Sequence, residues 1–172
     1  MKHNLTRIAL VASLALVSSA GLASDDDPEL IFKKSTVFKL LSPNHKLATY
    51  AIDDPLVEGV TCHFTVPEKG GWKGWAGFAE ELSDVSLACR QFGPVKFKEK
   101  FKQGDEMYRK RRSLFFKKMR IVRGCDPKRN VLVYLSYSDR IIEGSPQNST
   151  STVAIQPWGT ANVENCADFI AN

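Results

Sequence analysis

Two runs of β-forming residues, 114–122 (LFFKKMRIV) and 131–137 (VLVYLSY), constrain the fold of this chain more than any other feature. They flank residues 126–130 (DPKRN), whose proline and asparagine are typical of a turn. The pattern predicts a long antiparallel hairpin. Because 131–137 is apolar at successive positions, we expect it to be a central strand, covered on both faces.

Shorter runs with β character are separated by turn-forming residues and predict further strands at 37–41, 46–52, 57–66, 85–92 and 95–102. The last of these (VKFKEKFK) has lysine at every even position, so a strand there has one basic face. Its phenylalanines also have helical i,i+4 spacing, which leaves a helix open.

The remaining segments predict loops rather than regular structure. Residues 70–77 (GGWKGWAG) are glycine-rich and predict a loop, residues 78–82 fit one helical turn, and the chain beyond Gly144 is polar and rich in turn formers. We therefore expect a mostly β fold with little helix, either an antiparallel sheet or a partly closed barrel. A β-rich α+β fold is the alternative.

The first 23 residues have the layout of a cleavable secretory signal. Basic side chains precede an apolar run at 8–17, and small residues follow as far as Ala23. The run is shorter than the ~20 residues of a membrane-spanning helix, although an uncleaved N-terminal anchor is the alternative. We expect cleavage after Ala23, an acidic flexible leader at 24–35, and a single domain at 36–172 with no transmembrane span in the mature chain.

An even number of cysteines in an exported chain predicts disulfide bonds. The four cysteines are Cys62, Cys89, Cys125 and Cys166. We favour Cys62–Cys89 and Cys125–Cys166 because consecutive pairing suits strands that are neighbours in chain order, and the other two pairings stay open. The chain has no C-x-x-C and no zinc-module spacing, so we expect no metal site and no cofactor.

Motifs of the common enzyme classes are missing: the chain has no G-x-S-x-G, S-x-x-K, H-E-x-x-H or phosphate-binding loop. Only His45 and His63 follow the signal, which leaves little material for a catalytic triad. Carboxylates remain as candidates for an acid–base pair: Asp53, Asp54, Glu80, Glu81, Asp84, Asp139 and Glu143. Turn formation and solvated surface explain nearly all of them, so an envelope hydrolase with paired carboxylates is the alternative hypothesis.

Charge is distributed unevenly along the chain. The whole chain has 24 basic and 19 acidic residues, but residues 96–129 have 14 basic and 4 acidic ones, a net charge of +10. The densest basic cluster is Arg109, Lys110, Arg111 and Arg112. A positive pole of this kind attracts anions, so we expect an anionic envelope component or an acidic protein face as partner. An exported protein is not expected to bind nucleic acid.

Short motifs follow one another in a fixed order between Thr36 and Trp158. They are Thr36-Val37-Phe38-Lys39, Asp53-Asp54-Pro55, Val60-Thr61-Cys62, Gly70-Gly71-Trp72-Lys73-Gly74, Ala79-Glu80-Glu81-Leu82-Ser83-Asp84, Ala88-Cys89-Arg90-Gln91, Gly93-Pro94, Lys118, Lys128-Arg129-Asn130, Tyr137-Ser138-Asp139-Arg140 and Glu143-Gly144-Ser145-Pro146. This order resembles the CreA family of bacterial periplasmic proteins. The family pattern has Glu-Asp at the position of Glu80-Glu81, and it does not include Cys125 or Cys166.

The resemblance implies a periplasmic location and supports a Cys62–Cys89 disulfide, but it implies no particular reaction and carries over no catalytic residue. The candidate binding residues are Asp53, Asp54, Lys73, Asp84, Lys128, Arg129 and Asp139, together with Arg109, Lys110, Arg111 and Arg112. We expect a disulfide-braced binding or accessory protein of the bacterial envelope that recognises an anionic ligand or a protein partner and performs no chemistry.

Overall fold

The computed structural model describes residues 28–36, 46–68, 85–108, 119–138 and 147–171. Within these ranges the chain forms eight β-strands and one short 3₁₀-helix (Cys166–Phe169), with no α-helix. The strands are β1 (Glu29–Ser35), β2 (Lys46–Asp53), β3 (Val57–Glu68), β4 (Ser86–Phe97), β5 (Asp105–Tyr108), β6 (Met119–Asp126), β7 (Val131–Ser138) and β8 (Asn148–Ala154).

The described strands form two four-stranded antiparallel sheets, in the orders β1-β2-β3-β4 and β5-β6-β7-β8. In both sheets, strands that follow one another in the chain are also neighbours in space. The prediction of a mostly β, antiparallel fold with little helix is therefore confirmed. No helix in the described ranges is long and apolar enough to cross a membrane.

Alternation of apolar and polar side chains gives the first sheet its core face. In β3 the even positions from Val60 to Val66 are buried, and in β4 the odd positions Leu87, Cys89, Val95 and Phe97 are buried. A bulge interrupts the β3–β4 pairing between Glu58 and Val60, so that Val57 faces the core as well. Gly59 lies in this bulge at φ +79°, and the backbone of Pro94 approaches it so closely that a Cβ there would overlap the carbonyl oxygen of Pro94.

The second sheet is built around the predicted hairpin, which is confirmed: β6 and β7 pair from Met119↔Ser138 to Asp126↔Val131. The turn between them includes Asn130 at φ 51°, a left-handed conformation that asparagine tolerates well. On the core face β6 contributes Met119, Ile121, Arg123 and Cys125, while β7 contributes Leu132, Tyr134 and Ser136. The charged side chain of Arg123 therefore lies among apolar side chains on the core face of β6.

The two sheets share one hydrophobic core, and β4 of the first sheet lies beside β8 of the second. The backbone N–H of Cys89 donates to Oγ of Ser151 at 2.8 Å. The side chain of Gln91 donates to the carbonyl of Gln156 and accepts from its N–H, both at 2.9 Å. Within the described ranges, β4 and the second sheet are thus joined by hydrogen bonds that involve side chains.

All four cysteines lie within the described ranges and form the two predicted disulfides. Cys62 and Cys89 face each other directly across β3 and β4, with their Cα atoms 3.9 Å apart. Cys125 in β6 is bonded to Cys166 at the start of the 3₁₀-helix, with a Cα separation of 5.9 Å. The second bond ties the C-terminal segment to the core.

Several strand boundaries differ from the prediction. Residues 95–102 are not one strand: β4 runs without interruption from 86 through Gly93 and Pro94 to Phe97, and the chain bends at 98–99. The pattern was misleading because Phe101 is also buried, through an isolated bridge to Ile170, which extends the alternation beyond the strand.

Three described strands were missing from the prediction. β1 lies within the segment 24–35 assigned to the flexible leader, and β5 and β8 lie in segments assigned no strand. None of them shows a clear apolar alternation: every side chain of β1 is exposed, β5 has four residues, and β8 reads NSTSTVA. Their hydrogen bonds to a neighbouring strand define them. The predicted strand at 37–41, loop at 70–77, helical turn at 78–82 and residues 114–118 lie outside the described ranges.

Candidate functional site

The turn between β2 and β3 sends two adjacent aspartates into opposite environments. Asp53, the last residue of β2, is exposed and accepts a hydrogen bond from the hydroxyl of Thr61. Asp54 is only 3% exposed. Its backbone N–H donates to the carbonyl of Val60 at 3.1 Å, and its side chain lies on the core side, as do buried Ala48 and Ile52 at the preceding even positions of β2.

Four donors surround the carboxylate of Asp54. Oδ1 accepts from the backbone N–H groups of Leu56 at 2.9 Å and Val57 at 3.2 Å, and also from Nη1 of Arg123. Oδ2 accepts from the hydroxyl of Tyr134 at 2.8 Å. An ionised carboxylate accepts about four hydrogen bonds, so Asp54 has little capacity left for a ligand.

Arg123 of β6 and Tyr134 of β7 lie directly opposite each other in the second sheet. Both side chains donate to Asp54, which lies in the turn between β2 and β3 of the first sheet. Arg123 is 1% exposed and its Cζ lies 4.9 Å from the centre of the Phe101 ring, an arrangement suited to cation–π attraction. In the described part of the chain, no hydrogen-bond acceptor meets its Nε. We call Asp54, Arg123 and Tyr134 the inter-sheet triad.

The inter-sheet triad fixes the protonation state of its tyrosine. Burial raises the pKa of Tyr134 well above its usual value of 10.0, and the negative charge of Asp54 raises it further. Tyr134 therefore stays protonated at neutral pH and donates to Asp54. The triad holds its charges paired and buried, an arrangement suited to joining the two sheets rather than to proton transfer with a substrate.

A groove of about 510 Å³ opens beside the same turn. Its lining residues are Asp53, Asp54, Pro55, Val57, Glu58, Gly59, Val60, Phe92 and Lys98. Phe92 is 53% exposed, and Glu58 and Lys98 form an ion pair at 3.9 Å. The volume is in the range of small-molecule sites, about 300–1,000 Å³, so the groove has room for a ligand.

The remaining predicted site residues are divided between a second location and the part of the chain that is not described. Lys128 and Arg129 lie on the exposed turn between β6 and β7 and do not line the groove. Arg129 donates to Oδ2 of Asp126 at 2.7 Å, and this hydrogen bond lowers the pKa of Asp126 below its usual value. Outside the described ranges lie Lys73, Glu80, Glu81, Asp84, Arg109, Lys110, Arg111, Arg112, Asp139 and Glu143.

Arg123 and Tyr134 were not among the predicted site residues. The sequence signal for Arg123 is its position at i+2 from Ile121 and i−2 from Cys125, in the core-facing register of β6. Its position within the basic segment 96–129 suggested a surface cation instead. Phe92 and Lys98 of the groove were also missed, because they reach it through the pairing of β4 with β3, which a single-sequence pattern does not show.

Four exposed lysines stand at alternate positions along the end of β4 and the bend that follows it, and we call them the basic ridge: Lys96, Lys98, Lys100 and Lys102. Val95, Phe97 and Phe101 in the same segment are buried and anchor the backbone, while Glu99 between Lys98 and Lys100 is exposed. Further anchors are the N–H of Lys98, which donates to the carbonyl of Leu56 at 2.9 Å, and the N–H of Phe101, which donates to the carbonyl of Phe169 at 2.9 Å. The ridge is therefore held in place by the core although half of it lies beyond β4.

Metal-ligating side chains do not converge in the described ranges: no group of three or more His, Cys, Asp or Glu there could hold a metal ion.

Residues 31–158, about three quarters of the chain, match the protein family described as CreA protein. The chain belongs to the CreA family. The matched region contains the inter-sheet triad, the groove, the basic ridge and the Cys62–Cys89 disulfide, but it ends before Cys166. The resemblance found in the sequence motifs is thus confirmed, and the second disulfide lies partly outside the family match.

Curated CreA-family relatives match nearly end to end. The chain is 42% identical over 153 residues to Protein CreA of Escherichia coli K12, covering 87% of this chain and 96% of the relative. Protein CreA of Escherichia coli O157:H7 and of the O6:H1 strain CFT073 match with the same identity and coverage. No solved structure matches the chain.

Proposed function

We propose that this CreA-family protein is an exported, disulfide-braced protein of the bacterial envelope that binds an anionic partner through its basic ridge and catalyses no reaction. The observation that carries the proposal is the ridge itself, four lysines presented outward by a backbone that buried Val95, Phe97 and Phe101 hold in place. A preorganised row of cations loses little conformational entropy of the backbone when an anion binds.

Two features support a periplasmic location. The first 23 residues have the charge, apolar run and small residues of a cleavable signal, with the cut after Ala23. All four cysteines pair in two disulfides, which persist in oxidising compartments such as the periplasm. Mass spectrometry of the protein recovered from the periplasm tests this, with Ser24 as the expected first residue.

The groove and the inter-sheet triad give the hydrolase alternative less support than the basic ridge gives to binding. A paired-carboxylate mechanism needs one carboxyl group that can donate or accept a proton at a substrate. Asp54 points into the core and its oxygens accept from four donors. Without Asp54, the exposed carboxylates that line the groove are Asp53 and Glu58, and Glu58 forms an ion pair with Lys98.

The test is in-cell photo-crosslinking from position 99, which is exposed between two ridge lysines. A photoreactive residue there should capture an anionic lipid or an acidic protein, identified by mass. Lys100→Glu with Lys102→Glu should abolish the capture, because it changes the local charge by four units. The matched control is Lys46→Glu with Arg90→Glu, which makes the same change at exposed positions elsewhere on the first sheet.

Capture that survives reversal of the ridge lysines, or that is lost equally in the control, contradicts binding through the ridge. Binding through exposed lysines should also weaken as salt rises from about 0.01 to 0.15 M, since the Debye length falls from about 30 to 8 Å. Crosslink yield that is unchanged over this range would exclude an electrostatic contact.

A further inference from the structure

The groove beside the β2–β3 turn contains two exposed carboxylates that take no part in the core. Oδ1 of Asp53 accepts from the hydroxyl of Thr61, and in the described part of the chain Oδ2 accepts no hydrogen bond. Glu58 meets Lys98 only at 3.9 Å, with the two side chains 54% and 50% exposed. An ion pair this long and this exposed is largely solvated and stabilises little. Both carboxylates therefore remain available to a ligand.

The charge of the groove is negative. Its charged lining residues are three acids and one base: Asp53, Asp54, Glu58 and Lys98. Arg123 neutralises Asp54 in the core, so two acids and one base remain, a net charge of −1. The exposed cations Arg90 and Lys96 of β4 are paired with β3 nearby but do not line the groove. A cleft lined by an excess of one charge attracts ligands of the opposite charge, which here are cations.

Phe92 adds an aromatic surface to the same groove. Its side chain is 53% exposed although it lines a concave site. A single exposed phenylalanine is common on protein surfaces and carries no inference alone. Beside two carboxylates it has a clear use, because the ring packs against the apolar body of a ligand and its face attracts a cation.

Backbone hydrogen bonds hold the walls of the groove in place without a ligand. The N–H of Asp54 donates to the carbonyl of Val60 at 3.1 Å, and the N–H of Val57 donates back to the carbonyl of Asp54 at 3.3 Å. The N–H of Lys98, just after β4, donates to the carbonyl of Leu56 at 2.9 Å and attaches this segment to the turn. A preformed groove loses little conformational entropy when a ligand binds.

We propose that this groove binds a small organic amine, with its cationic group at Asp53 and Glu58 and its apolar body against Phe92. The volume of about 510 Å³ is sufficient for a small molecule of this kind. The amine site is separate from anion binding by the basic ridge, because the opposite charge selects the ligand. Lys98 belongs to both, and its ammonium group competes with the ligand for Glu58.

The first test is a titration of the purified, disulfide-bonded protein with 2-phenylethylamine, followed by NMR of the backbone amides. This probe joins a phenyl ring to one ammonium group. We expect a Kd of about 1 mM, with the shifts centred on Asp53, Glu58 and Phe92. 2-Phenylethanol lacks the charge and 3-phenylpropionate reverses it, so both should bind at least about tenfold more weakly.

The second test removes one groove side chain at a time. Asp53→Asn should weaken binding of 2-phenylethylamine by about tenfold, because a charge-assisted hydrogen bond is lost. Its matched control is Glu99→Gln, which removes one negative charge at an exposed position outside the groove. Phe92→Ala should also weaken binding by about tenfold. Its control is Trp158→Ala, since Trp158 is 46% exposed and does not line the groove.

The third test should strengthen binding. Lys98→Met removes the ammonium group that pairs with Glu58 but keeps the backbone N–H that donates to Leu56. 2-Phenylethylamine should therefore bind about threefold more tightly, the equivalent of one exposed ion pair. Lys100→Met, at an exposed position outside the groove, is the control and should change the Kd less. Circular dichroism verifies the fold of every variant.

Three results would overturn the amine site. One is the absence of shifts at the groove amides with the probe at about 10 mM, ten times the expected Kd. Another is binding of 2-phenylethanol or 3-phenylpropionate as tight as that of the amine, which assigns the groove to apolar contact or to anion binding at Lys98. The third is equal weakening in Asp53→Asn and Glu99→Gln, which is a general effect of charge. Selective amine binding that Asp53→Asn weakens and Lys98→Met strengthens supports the proposal.

Discussion

Removing the carboxylate of Asp54 should be far more destabilising than the same change at its neighbour. In Asp54→Asn the guanidinium of Arg123 keeps its charge at 1% exposure but loses the only carboxylate that contacts it in the described part of the chain. Breaking a buried ion pair from one side costs about 3–5 kcal/mol. Since domains of this size unfold with about 5–15 kcal/mol, the loss is a large share of the total.

The hydrogen bonds around Asp54 indicate where in the range of about 3–5 kcal/mol the loss of stability should lie for each substitution. Asparagine keeps one acceptor oxygen for the N–H groups of Leu56 and Val57, so Asp54→Asn should lie near 3 kcal/mol, at the low end of about 3–5 kcal/mol. Alanine removes every acceptor and also orphans the hydroxyl of Tyr134, so Asp54→Ala should lie near the high end, about 5 kcal/mol.

The assay is equilibrium unfolding in urea, followed by circular dichroism, with the slope of the transition unchanged. Asp53→Asn is the matched control: Asp53 is exposed and bonded to Thr61, so its loss should be no more than about 1 kcal/mol. Adding Arg123→Met to Asp54→Asn should recover part of the loss, because both charges are then gone. If Asp54→Asn and Asp53→Asn lower the free energy of unfolding equally, the triad does not join the sheets as we describe.

Two further predictions follow from single residues. Gly59→Ala and Gly104→Ala both place alanine at positive φ, +79° and +82°, but only Gly59 faces a clash, since its Cβ would lie 2.9 Å from the carbonyl carbon of Pro94. In urea unfolding, Gly104→Ala should lose about 1–2 kcal/mol and Gly59→Ala about 1–3 kcal/mol more; equal losses would contradict the close approach at the bulge. Tyr134 has a raised pKa, so the stability it contributes is complete below its unfolded pKa of about 10 and is lost as pH rises from there towards the folded pKa. Tyr134→Phe should therefore flatten the alkaline fall in unfolding free energy, and an unchanged fall would assign it to other groups.

The sequence predicted those parts of the fold in which the pattern of side chains and the pattern of hydrogen bonds coincide. β2, β3 and the β6–β7 hairpin have a buried face and a clear turn, so alternation located them. Among the described strands, β1 and β8 stand at the ends of their sheets, and each is paired there with one neighbouring strand. Because an edge strand needs few buried side chains, its sequence carries little signal.

The candidate site was predicted only in its aspartates. The motif Asp53-Asp54-Pro55 indicated a turn but did not by itself show which aspartate turns inwards; Asp54 does so, at the next even position after buried Ala48 and Ile52. Arg123 looked like one more cation of a basic segment. Its burial depends on Asp54 meeting it from a strand pair about 70 residues earlier in the chain, and single-sequence periodicity carries no information about such a contact.

Pairing within the fold also changes where the positive charge of residues 96–129 can act. The net charge of +10 counts Arg123, but Asp54, which lies outside that segment, neutralises it in the core. Arg120 pairs with Glu106, Arg129 with Asp126, and Lys98 with Glu58. In the described part of the chain, Lys96, Lys100 and Lys102 then remain as exposed cations of the ridge outside any ion pair. A charge count therefore overstates the positive surface, and reversing Lys100 and Lys102 tests anion binding where the field is least compensated.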